Sequence, residues 1–236
     1  GLGCAGVLGA AGASVVIFVV DGAAAERAGK YLGDHGVNAR AYVVDVSSEE
    51  AVQAAVAHVI ADFGSLTYLV NNAGTHDGKG IEQASAADWD RIITTNLRSV
   101  FLVTQAALPH LKDSRGSIVN MSSMVGLVGQ GKSGAYSASK GAIVAFTKNL
   151  ALDLAPYGIR VNALCPGWVE TPLVNEWFAL QPDEAAARVY VNSIHPLGRI
   201  ASADEIGQVA LFLLSDQASF VTGVAVPVDG GVTLGY

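Results

Sequence analysis

Short runs rich in valine, isoleucine and leucine alternate along this chain with longer, alanine-rich segments, and that rhythm leaves few folds open. The apolar runs are Val15 to Val20, Ala39 to Val44, Tyr68 to Asn71, Gly116 to Met121, Ile159 to Leu164 and Val224 to Val228. Several are almost continuously apolar, as strands covered on both faces are. Between them, Ala23 to Leu32, Glu49 to Phe63, Ala86 to Leu111, Ala135 to Tyr157 and Ala203 to Leu214 suit helices. Repeated βα units predict an α/β fold: one domain over residues 1–236, built on a doubly wound, Rossmann-like parallel sheet. Pro172, Pro182 and Pro196 break the rhythm between Thr171 and Pro196. This stretch, at about 171–196, reads as an excursion with two helical pieces over the sheet's carboxyl end, where ligands bind in such folds.

With 236 residues and 51% hydrophobic side chains, the chain can build such a core and still leave apolar surface for subunit contacts. Fourteen basic residues face 21 acidic ones, a net charge of −7, and no basic run occurs, which disfavours nucleic acid as a partner. Cys4 and Cys165 have neither metal-like nor redox-like spacing, so no disulfide framework, zinc site or other metal site is expected. No apolar stretch approaches the roughly 18–20 residues of a membrane span. The start shows no charged segment followed by an apolar one, so no signal peptide is expected and a soluble, cytoplasmic protein is the default.

A dinucleotide-binding fold opens with a strand, a glycine-rich turn and a helix whose N-terminus faces the pyrophosphate. Here Gly1-Leu2-Gly3 stands first and no strand precedes it. The expectation is therefore either that the first strand of such a fold is missing from the chain or that Gly1-Leu2-Gly3 is not the phosphate turn. Gly1, Leu2 and Gly3 are either the remnant of a phosphate turn or a flexible terminus.

The chemistry concentrates in a few places. Tyr136 and Lys140 are four residues apart on a predicted helix, so they share a face. An ammonium beside a phenol favours the phenolate, which would bring the tyrosine towards neutral pH and make it a general acid/base. Ser122-Ser123 ends a predicted strand, where a hydroxyl either points into the cleft or caps a helix. Asn71-Asn72-Ala73-Gly74 follows another strand, as a close approach for a flat ligand or as a simple turn. Asn96 is a mediocre helix former within a helical pattern, marking a local bulge or an exposed position. Pro166-Gly167 follows the fifth of the six strand candidates and could wall a cofactor ring.

Taken in order, Asn71-Asn72-Ala73-Gly74, Asn96, Ser123, Tyr136-x-x-x-Lys140 and Pro166-Gly167 strongly resemble the short-chain dehydrogenase/reductase family. Ser123 stands 13 residues before Tyr136, and Asp229-Gly230-Gly231 is similar to the family's C-terminal pattern. The resemblance implies that Tyr136 exchanges the substrate's hydroxyl proton, Ser123 holds that oxygen, and Lys140 assists Tyr136 and bonds the nicotinamide ribose. Asn96 would hold a water in a proton relay. Cofactor contacts would come from Gly1, Leu2, Gly3, Asp21, Asp45, Val46, Asn71, Ala73, Gly74, Tyr136, Lys140, Pro166, Gly167, Val169 and Thr171.

Two departures stand out. Val19 falls where NAD-dependent members place an acid, with Asp21 two residues on and Arg27 too far along the helix. An Asp without an adjacent base should repel a 2′-phosphate, so NAD is expected over NADP. The stretch from Gly3 to Gly12 is also about two residues short of the family pattern. Thr75-His76-Asp77-Gly78, Gly129-Gln130-Gly131, Thr171-Pro172-Leu173 and Trp177 look like the branch of L-fucose and related sugar dehydrogenases, as does the ending Gly230 to Tyr236. His76, Gln130 and Trp168, with Ser123 and Tyr136, are the expected substrate contacts. The expected substrate is a small alcohol or a sugar, and the expected assembly a homotetramer through the two long helices. The alternatives are an NADP-dependent carbonyl reductase of the 3-oxoacyl carrier-protein type and a non-catalytic nucleotide-binding regulator.

Overall fold

The computed structural model describes Gly1 to Gly235; Tyr236, the last residue of that sugar-dehydrogenase-like ending, lies outside the described residues. In chain order the elements are α1 (Leu2–Ala10), β1 (Val15–Val19), α2 (Gly22–Asp34), β2 (Ala39–Val43), α3 (Glu49–Phe63), β3 (Tyr68–Asn71), α4 (Ala86–Ile93) and α5 (Ser99–Ser114). There follow β4 (Ser117–Met121), α6 (Gly134–Leu154), β5 (Arg160–Pro166), α7 (Pro172–Ala179), α8 (Glu184–Ser193), α9 (Ala203–Leu214) and β6 (Ala225–Val228). Every ladder is parallel. The strands form two sheets, β1-β2 and β3-β4-β5-β6. Among the described residues no ladder joins β1 to β3. Their side chains do meet: Phe18 and Leu69 pack with Val52, Val56 and Val103.

Strand alternation sorts the core into two layers, as the doubly wound expectation requires. On one face of β4, Val119 and Met121 pack with Cys4 of α1 and with Ile206, Ala210, Leu213 and Leu214 of α9. On the other face, Ile118 packs with Ala107 and Leu111 of α5 and Leu150, Ala151 and Leu154 of α6. Asn120 shares that second face and is fully buried, so its amide must bond inside the protein. It does: Asn120 Nδ2 donates to Thr147 Oγ1 at 2.9 Å, and Asn71 Nδ2 donates to Asn120 Oδ1 at 2.8 Å and Thr104 Oγ1 at 3.0 Å. This ladder ties β3 and β4 to α5 and α6.

Two sequence expectations need correcting. The helix read from Ala86 to Leu111 is broken: α4 passes into a π-helical turn over Thr94–Arg98 before α5 begins. The opening Gly1-Leu2-Gly3 is neither a loop nor a flexible tail, because α1 starts at Leu2 with Gly1 at its N-cap. Gly3 lacks a side chain for a packing reason: a Cβ there would lie 2.6 Å from the Ala203 carbonyl carbon. Gly207 answers from α9, where a Cβ would come within 3.0 Å of the Gly3 oxygen. The two helices therefore touch backbone to backbone, which only glycine permits.

Candidate active site

Because the strands are parallel, the segments following β3, β4, β5 and β6 emerge at the same end of the sheet. That carboxyl end gathers Asn71 to His76, Ser122-Ser123, Pro166 to Thr171 and Asp229, and α6 brings Tyr136 and Lys140 to it. Lys140 is 3% exposed, and its Nζ donates to the Met121 carbonyl at 2.7 Å. Ser122 Oγ donates to the Lys140 carbonyl at 2.8 Å, so the end of β4 holds the lysine at both its side chain and its backbone. The turn Met124–Gly126 fits against α6 only because residue 126 is glycine: a Cβ would meet the Lys140 carbon and oxygen at 2.8 Å.

The titration of this pair differs from the expectation drawn from spacing. Burial raises the Tyr136 phenol above its ordinary value, and hydrogen bonding with Ser123 only partly opposes this. Burial also lowers the Lys140 ammonium to about 8. Lys140 Nζ lies 5.6 Å from the Tyr136 ring centroid and is committed to Met121. Desolvation is the largest influence on both groups.

Asn96 sits inside the π-helical turn and is fully buried, so the bulge reading holds and the exposed one does not. Its Oδ1 accepts from Thr75 N at 2.7 Å, and its Nδ2 donates to Thr75 O at 2.9 Å and Ser139 Oγ at 3.2 Å. Ser139 Oγ donates to the Tyr136 carbonyl at 2.7 Å. The side chain thus staples the loop after β3 to the turn carrying Tyr136. Gly74 lies beneath this staple: a Cβ there would be 3.3 Å from Asn96 Oδ1 and 3.5 Å from Lys140 Nζ.

The remaining expected residues divide by environment. Asn71 is buried with its amide turned to the core, leaving only its backbone for a ligand. Asp21 caps α2 by accepting from Ala24 N at 2.7 Å and remains exposed. Asp45 does not cap α3; Ser48 does. Asp45 instead accepts from the Ser47 backbone and hydroxyl, which lower its pKa. Val46 packs near Val52 and Val56. Gly167 faces Asp229, whose Cα would lie 3.0 Å from an added Cβ. Val169 bridges to Ala201, and Thr171 caps α7 by accepting from Val174 N at 3.3 Å. Trp168 stacks on Phe178 at 6.0 Å and tilts against Trp177 at 4.8 Å. Gln130 is exposed and makes no side-chain hydrogen bond to another described residue. His76 is half-buried, its ring edge-to-face with Tyr136 at 4.8 Å and its Nε2 3.0 Å from Ser133 Oγ. Sequence reasoning missed Ser139, Ser133, Gly126 and the Thr104–Thr147 ladder. Their work depends on partners distant in the chain.

Among the described residues, no group of three or more His, Cys, Asp or Glu could hold a metal ion, and no helix is long and apolar enough to cross a membrane. The arrangement suits proton transfer at a partly buried phenol beside a lysine and a serine hydroxyl.

Comparison with known proteins points the same way. The family model described as enoyl-(acyl carrier protein) reductase matches residues 1–233. The chain is 41% identical over 236 residues to L-fucose dehydrogenase of Oryctolagus cuniculus, covering all of this chain and 81% of that protein. The solved structure of an NAD⁺-bound xylitol dehydrogenase superposes with a TM-score of 0.92 at 36% identity, covering 98% of this chain and 94% of the other. An actinorhodin polyketide ketoreductase solved with NADPH gives 0.93 at 35% identity, covering 98% and 92%. The chain belongs to the short-chain dehydrogenase/reductase family of nicotinamide-dependent oxidoreductases.

Proposed function

We propose that this oxidoreductase is an NAD-dependent dehydrogenase of small secondary alcohols or sugars, with Tyr136 as its general acid/base. One observation carries the reading: Tyr136, Ser123 and Lys140 converge at the carboxyl end of the sheet, with Lys140 buried and pinned to Met121. In the oxidative direction Tyr136 takes the proton of the substrate hydroxyl, and Ser123 donates a hydrogen bond to the same oxygen. Asn96 fixes the loop that borders the site and, through Ser139, the backbone of Tyr136. The nicotinamide, when bound, supplies hydride transfer.

The residues fit a dinucleotide. A side chain at Gly74 would press on Asn96 Oδ1 at 3.3 Å and Lys140 Nζ at 3.5 Å, so glycine keeps the backbone approachable there. Asp45, Val46, Ala73, Pro166, Gly167, Val169 and Thr171 lie along the same end of the sheets. Gly1, Leu2 and Gly3 begin α1, whose N-terminus reaches Asn72: the Gly1 amine donates to Asn72 Oδ1 at 3.0 Å. The preference for NAD rests on Asp21, an exposed carboxylate just after β1, which would repel a 2′-phosphate. L-fucose dehydrogenase and xylitol dehydrogenase among the relatives favour a sugar or polyol substrate. His76, Gln130 and Trp168 are the proposed substrate-side residues. A homotetramer through α5 and α6 is supported by exposed Phe101 and Leu152. Two buried, free cysteines fit a reducing compartment such as the cytoplasm.

Steady-state rates with both cofactors and a panel of sugars and secondary alcohols test this reading. NAD should be used more efficiently than NADP, and Asp21→Ala should narrow the difference. A strong preference for NADP, or no turnover with any substrate, contradicts it.

A further inference from the structure

We infer that His76 is a positioning residue for Tyr136: anchored on Ser133, its imidazole fixes the phenol ring at the start of α6. The inference rests on the reading of Tyr136 as the proton-transfer group. It adds a role towards Tyr136 to the proposed place of His76 on the substrate side.

One ring nitrogen of His76 is already engaged. Its Nε2 lies 3.0 Å from Ser133 Oγ, and Ser133 is 1% exposed. The Ser133 hydroxyl also lies 3.4 Å from the Gly131 carbonyl, and with its proton directed there it can accept from the Nε2–H tautomer of His76. Ser133 makes no side-chain cap for α6 although it occupies the N-cap position. Its hydroxyl is thereby left for the imidazole. Burial lowers the His76 pKa despite nearby Asp77, in keeping with a neutral ring.

The His76 ring also meets Tyr136. The two rings are 4.8 Å apart and 79° from parallel, the edge-to-face arrangement aromatic pairs favour. The preceding residue, Thr75, is held at both backbone atoms by Asn96. Asn96 reaches Ser139, and Ser139 reaches the Tyr136 carbonyl. Tyr136 is therefore gripped twice from one short loop: its backbone through Thr75, Asn96 and Ser139, and its ring through His76 and Ser133. A phenol that must meet a substrate oxygen at hydrogen-bond distance gains most from such a grip, because small displacements of a reacting group are costly.

The test compares His76→Phe, which keeps a ring but loses the anchor, His76→Gln, which keeps a polar reach but loses the ring, and Ser133→Ala. Each should lower kcat about ten- to a hundredfold while leaving the cofactor Kd unchanged. His76→Phe combined with Ser133→Ala should cost no more than either alone. Full kcat in either His76 variant, additive losses, or an effect confined to KM would overturn the inference. Thermal melts accompany the kinetics; if Ser133→Ala does not fold, the two His76 variants decide alone. Turnover by Tyr136→Phe, measured alongside, would instead sink the underlying reading.

Discussion

Lys140 carries its ammonium in one of the least accessible places in the protein. Burial lowers its pKa from 10.5 to about 8, so the folded chain holds this proton less tightly than the unfolded chain. Between pH 8 and 10.5 the unfolded state binds more protons at this residue, and stability rises with pH across that window, by up to roughly 3 kcal/mol. Lys140→Met removes the cost of burying charge, though it leaves the Met121 carbonyl without its donor. The variant should lose turnover, melt no lower than the parent near pH 7, and lack the parent's gain between pH 8 and 10.5. Melting curves over that range check this; a lower-melting variant that keeps the pH gain would contradict it. Tyr136 follows the same physics with the opposite sign. Burial disfavours its phenolate, so oxidation should speed up towards alkaline pH while carbonyl reduction, which needs the neutral phenol, should not. The Tyr–Lys spacing revealed that the two side chains share a helix face. It could not reveal how strongly burial acts on both groups, because burial is set by β4, the Met124–Gly126 turn and β5.

Among the elements, glycines explain where backbones meet. At Gly126 and Gly3 the neighbouring atoms are backbone and cannot swing aside. Gly126→Ala should push the Met124–Gly126 turn off α6, costing roughly 1–3 kcal/mol and lowering turnover, since Lys140 and Ser122 lie in the contact. Thermal unfolding and kinetics read both effects; parent-like values would show that the contact is not tight. The strands were legible in the sequence as apolar runs, most plainly β4 and β5, which are buried on both faces, and their bounds shift by only a residue or two. The break at Asn96 was not legible as a break. A π-helical turn stabilised by Thr75 and Ser139 depends on partners 21 and 43 residues away. The opening was only partly legible for a related reason: Gly1-Leu2-Gly3 begins a helix, and Gly3 packs against Ala203, at the far end of the chain.

On the scale of the whole molecule, parallel strands deliver one set of loops to one end, and α6 presents Tyr136 there between Ser123, Lys140 and His76. Asn71, Asn120, Thr104 and Thr147 hold the strands beneath it in register with α5 and α6. The ordered motifs from Asn71 to Gly167 made the family readable from sequence. Substrate choice was far less so, because Trp168, Trp177 and Phe178 come together only through the excursion over α7 and α8. The central claim is that this scaffold serves proton transfer at one phenol. Replacing Tyr136 with Phe removes a single oxygen and keeps the ring that packs on His76. Oxidation of the best alcohol or sugar substrate should fall at least a hundredfold in kcat with cofactor affinity retained; turnover near that of the unaltered protein would contradict the account.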